Sequence, residues 1–98
     1  MAANPATTKT WSTTGTSEEF GPIPGRFCFD LSGTFVATIV IERKRPGGDV
    51  WIPLTAGGVP LRFTGTASEV LDEPLEGARY RMNCTSYTNG TPIGSLQQ

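Results

Sequence analysis

Few side chains in this sequence have the type and spacing needed for chemistry. Histidine is absent from the 98 residues. Its absence removes the commonest general base, the commonest metal ligand and the Ser-His and Cys-His nucleophile pairs together. Two pairs of adjacent carboxylates remain for acid–base work, Glu18-Glu19 and Asp72-Glu73. Neighbouring acids in polar segments are ordinarily solvated charge, so no catalytic residue, metal ligand or cofactor is assigned, and the chain is expected not to be an enzyme.

Cys28 and Cys84 lie on either side of Trp51 in sequence, an order that invites comparison with the inter-sheet disulfide of immunoglobulin domains. Strand parity argues against a bond. Cys84 shares a face with Tyr80 and Met82, whereas Cys28 shares one with Arg26 and Asp30, and sulfurs on opposite faces cannot meet disulfide geometry. Two free thiols are expected. The run Glu42-Arg43-Lys44-Arg45 is the one dense cluster of positive charge, and Arg43, Lys44 and Arg45 are candidate contacts for an acidic protein surface or a phosphate. A solvated strand end leading into Pro46-Gly47-Gly48 is the competing account. Trp51 and Tyr87 are candidates for a stacking platform, although packing in the core or at an edge is favoured for both.

The elements that would position these residues are short strands. Gly (12) and Pro (8) are frequent and hydrophobic residues make up 37%, a composition for one small, turn-rich core. Residues 26–31 and 34–43 alternate, with Phe35, Ala37, Ile39 and Ile41 on one face of the longer run. Leu31-Ser32-Gly33 fits a three-residue hairpin loop that places Phe29 opposite Phe35. Residues 49–55 are expected to form a strand that Pro53 places at an edge or ends early, and 67–71 are a weaker candidate. Residues 78–87 put Ala78, Tyr80, Met82 and Cys84 on one dry face. Asn89-Gly90 signals a hairpin returning through residues 91–96.

Residues 1–19 are rich in Thr and Ser and hold a single large apolar side chain, Trp11. They are expected to form an extended N-terminal arm, with Trp11 as the anchor in a neighbouring subunit. Residues 20–98 are expected to form one antiparallel, immunoglobulin-like β-sandwich. With 8 Lys+Arg against 9 Asp+Glu, no overall field draws the chain to nucleic acid or an anionic membrane. The N-terminus carries no basic start followed by an apolar run, so a soluble protein made in a cytoplasm is expected.

The stretches 29–43 (FDLSGTFVATIVIER), 47–51 (GGDVW) and 77–84 (GARYRMNC) together resemble small β-sandwich proteins encoded among the structural genes of tailed bacteriophages. The shared order is a Phe-rich strand, a Ser-Gly turn, a long strand ending in charge, a Gly-Gly-x-x-Trp turn and a Tyr-Arg strand. The resemblance implies a virion component without catalytic residues, such as a capsid decoration or cement protein contacting the major capsid protein, present as a homo-oligomer or multi-copy lattice. A neck, tail or baseplate protein and a carbohydrate-binding attachment module are the alternatives. They would differ in copy number on particles and in glycan binding through Trp51.

Overall fold

Alternating apolar residues make the long central strands of the computed structural model, which describes residues 6–22 and 25–98. In chain order the strands are β1 (Ala6–Thr10), β2 (Gly15–Thr16), β3 (Gly25–Ser32), β4 (Phe35–Lys44), β5 (Ile52–Pro53), β6 (Thr55–Ala56), β7 (Val59–Pro60), β8 (Ala67–Glu73), β9 (Arg79–Gly90) and β10 (Ile93–Gln97). They build a first sheet in the order β1-β10-β3-β8, a second in the order β2-β9-β4-β5, and the small β6-β7 hairpin. All pairings are antiparallel.

Parity decides which residues meet. Phe27, Phe29 and Leu31 of β3 and Leu96 of β10 are buried together with Ala37, Ile39 and Ile41 of β4 and Tyr80, Met82 and Cys84 of β9. The ring centroids of Phe27 and Tyr80, one from each sheet, lie 4.5 Å apart, so the two sheets share a single core. Phe35, expected inside, is only partly buried and packs at the margin of that core. Cys84 is buried and Cys28 exposed, both as free thiols, as strand parity requires.

The expected hairpins at Leu31-Ser32-Gly33 and Asn89-Gly90 are corners instead, and Phe29 lies opposite Leu96, not Phe35. β3 pairs with β10, and β4 pairs with β9. The two pairings keep one register through the corner: Phe35 lies opposite Gly90, the Thr91 N–H donates to the Thr34 carbonyl at 3.0 Å, and Ile93 lies opposite Ser32. The centre of the molecule is therefore one long two-stranded ribbon folded over on itself, so that each half enters a different sheet. Gly33 (φ 101°) and Gly90 (φ 91°) sit at the fold. A Cβ on Gly33 would lie 2.2 Å from the Thr91 carbonyl oxygen and one on Gly90 2.3 Å from that of Thr34, so the corner needs glycine on both strands. The Ser-Gly and Asn-Gly signals marked positive-φ bends, not chain reversals.

The N-terminal arm is also corrected. Over residues 6–19 the chain belongs to the domain; residues 1–5 of that expectation lie outside the described residues. β1 pairs along β10, β2 pairs with β9, and Phe20 exchanges two backbone hydrogen bonds with Tyr80 (2.7 and 2.9 Å). Trp11 is 1% exposed and lies in the shared core, where its Nε1 donates to the Gly15 carbonyl at 3.0 Å. Thr-rich backbone pairs as well as any β-branched segment, and one indole buries enough surface to hold it there.

Candidate functional site

Strand alternation divides the Arg43-Lys44-Arg45 cluster at the end of β4. Arg43 lies opposite Tyr80 and therefore points to the core side. There its Nε and Nη2 both donate to the Glu73 carboxylate, the latter at 2.9 Å. Tyr80 Oη donates to Glu73 Oε1 at 2.8 Å, and the Leu75 N–H to Oε2 at 3.1 Å. A carboxylate only 1% exposed thus accepts four hydrogen bonds. The bond from the Arg43 fork, against the opposing effect of burial, holds the Glu73 carboxyl below its ordinary range. Burial, then the bond to Glu73, pushes the Tyr80 phenol up to about 12. The group ties β8 of the first sheet to β4 and β9 of the second and closes one end of the core.

The outward side of β4 carries a second polar assembly. Glu42 accepts from Arg81 Nε at 2.6 Å and from Asn83 Nδ2 at 3.3 Å. The Trp51 ring lies against the same face, with the Arg81 guanidinium 4.5 Å and the Lys44 ammonium 5.1 Å from its centroid. Lys44 also reaches Glu19 at 3.2 Å. Trp51 is thus a lid over two cations. Tyr87 lies far along β9 and donates to the Gly90 carbonyl at 2.6 Å, so the two rings do not form a common platform.

Beside the short edge strand β5 runs an open groove of about 530 Å³ lined by Arg43, Arg45, Asp49, Val50, Ile52 and Leu54. Val50 is 66% and Ile52 56% exposed, large values for branched aliphatic side chains that sit next to each other. Arg43 is neutralised by Glu73, whereas Arg45 is exposed and makes no ion pair among the described residues. The groove thus joins an apolar strip to charged residues of both signs, Arg45 and Asp49.

Of the four candidate contacts, the structure brings Arg43 and Arg45 to one groove, turns Lys44 to the opposite face and buries Trp11 elsewhere. An indole 1% exposed in its own core is not available to a neighbour's pocket. The sequence reading missed Glu73, Tyr80, Glu42 and Arg81 as interacting groups. Glu73 was set aside with Asp72 as solvated charge, yet it stands two residues after the half-buried Leu71 on the core-facing parity of β8. That parity was the available signal. No protein-family model, curated protein or solved structure matches this chain.

Proposed function

We propose that this chain is a non-enzymatic structural component of a bacteriophage virion, a capsid decoration or cement protein that bridges coat subunits. The observation that carries the binding role is the groove beside β5, where Val50 and Ile52 stand exposed next to Arg45, which makes no ion pair among the described residues. A contiguous apolar strip rimmed by charge is what a protein partner covers. The assignment to a virion is supported by the resemblance of residues 29–43, 47–51 and 77–84 to small tailed-phage structural proteins. Because residues 6–19 belong to the domain, bridging falls to the groove and not to an arm anchored by Trp11. In the same reading the two packed sheets are a small immunoglobulin-like sandwich in the broad sense. Their strand order departs from the immunoglobulin one, since β10 lies beside β3 and not beside β9.

Quantitative mass spectrometry of purified particles tests the proposal. The expected result is a copy number that scales with that of the major capsid protein, with a sharp fall in particle-bound protein for Ile52→Asp at an unchanged melting temperature. A few copies per particle would move the protein to the neck, tail or baseplate. Its absence from particles would defeat the virion reading.

A further inference from the structure

The first sheet ends in two strands that, among the described residues, have no neighbour on their outer side: β1, with five residues, and β8, with seven. β1 carries one charged residue on its inward side, Lys9, and β8 carries two, the ion-paired Glu73 and Glu69. Lys9 lies opposite Gly94, and Glu69 opposite Phe29. Gly94 and Phe29 both face the core: a Cβ on Gly94 would meet the Trp11 ring and the Met82 sulfur, and Phe29 belongs to the core cluster. Lys9 and Glu69 therefore stand on the inward side of their edges. Neither takes part in the ion pairs Arg43–Glu73, Lys44–Glu19 and Arg81–Glu42.

Inward charges on edge strands ordinarily block sheet-to-sheet pairing. Here they block only some of it. Pairing β1 with β1 would bring two Lys9 side chains together, and pairing β8 with β8 two Glu69 side chains, whereas β1 against β8 of another copy neutralises one charge with the other. We propose that copies of this chain associate head to tail, with β1 of one copy hydrogen-bonded to β8 of the next.

Direction and register agree with this pairing. A four-stranded antiparallel sheet ends in strands of opposite direction, so a second copy added in the same orientation presents β1 antiparallel to β8. Setting Lys9 opposite Glu69 places Thr8 opposite Val70, Thr10 opposite Ser68 and Thr7 opposite Leu71. Outward residues then meet outward ones: Thr8 and Thr10 share the face of Ser95 and Ile93, as Val70 and Ser68 share that of Cys28 and Asp30. Val70, 71% exposed, gains a β-branched partner. The contact is heterologous. At roughly −20 to −25° of twist per strand, successive copies turn by nearly a right angle and follow a ring or screw axis instead of a flat ribbon. The inference stands on the two edges alone and does not depend on the virion reading.

Sedimentation velocity of the full chain over a concentration series tests it. The wild-type chain should form species larger than a dimer as concentration rises. Lys9→Glu and Glu69→Lys should each weaken association about tenfold by setting like charges opposite each other. An equimolar mixture of the two variants should regain wild-type association, because each β1 then meets a β8 of opposite sign. Glu69 is exposed and Lys9 half-buried, so both substitutions fall at the surface, and circular dichroism checks that each variant stays folded. A chain that remains monomeric, or stops at a dimer, overturns the proposal. So does a single variant that associates more strongly than the wild type, since the charges would then be blocks alone, or a mixture that fails to regain association.

Discussion

Glu73 is the residue on which the most interactions converge, and its burial makes it expensive to disturb. Removing one partner of a buried ion pair leaves the other desolvated and unpaired. Glu73→Ala should therefore destabilise the fold by about 3 kcal/mol, since Arg43 keeps partial access to water. The same group gives stability a pH dependence on both sides. The folded carboxyl titrates below its unfolded value, so its contribution is complete above the ordinary carboxylate range and is lost as pH falls through the depressed folded value. The phenol of Tyr80, raised to about 12, contributes stability that is complete below the ordinary tyrosine value of about 10. That contribution is lost as pH rises through the folded value. Urea unfolding across pH should show both losses in the wild type. Glu73→Gln should flatten the acid limb and Tyr80→Phe the alkaline one; an acid limb unchanged in Glu73→Gln would assign the acid sensitivity to other carboxylates.

At the scale of elements, β1 and the segment that follows it behave as an integral part of both sheets. β1 covers the outer side of β10, Trp11 fills the core beneath Gly94, and residues 15–20 pair with β9. Trp11→Ala should cost about 3–5 kcal/mol. Deletion of residues 6–15 should leave a chain that lacks a cooperative transition in urea, as followed by circular dichroism; a deleted chain that melts like the full one would show that this segment is not part of the cooperative core. The faces of β3, β4 and β9 were legible because side-chain direction has period two and needs no knowledge of neighbours. The pairing of those strands was not legible. A glycine after Ser32 or Asn89 announces a bend, but whether the bend reverses the chain or carries it to another sheet depends on contacts distant in sequence, here between Gly33 and Thr91 and between Gly90 and Thr34. The N-terminal segment was misread because its Thr run has no apolar alternation, so its place rests on backbone pairing and one indole. In the candidate site the charge of Arg43, Lys44 and Arg45 was evident. The inward turn of Arg43 was not, because its partner lies thirty residues away.

The whole molecule follows from the bent ribbon. β3 and β4 are one continuous stretch of chain, as are β9 and β10, and each stretch contributes a strand to each sheet. Neither sheet can lose its central strands without pulling on the corner at Gly33 and Gly90. The Arg43–Glu73–Tyr80 group fastens the sheets again near the opposite end of β4. Two attachments across a single core argue that the sheets unfold together. The two tryptophans allow a direct check, since Trp11 lies inside the shared core and Trp51 lies on the outward face of the second sheet over Lys44 and Arg81. In Trp51→Phe the fluorescence of Trp11 reports on the contact between the sheets. In Trp11→Phe, which keeps an aromatic ring in the core, the fluorescence of Trp51 reports on the second sheet alone. Within each variant, the urea transition seen by fluorescence should coincide with that seen by far-ultraviolet circular dichroism. A Trp51 signal that persists beyond the loss of overall strand content would show that the second sheet survives separation from the first, and that the corner and the Glu73 clamp do not couple them.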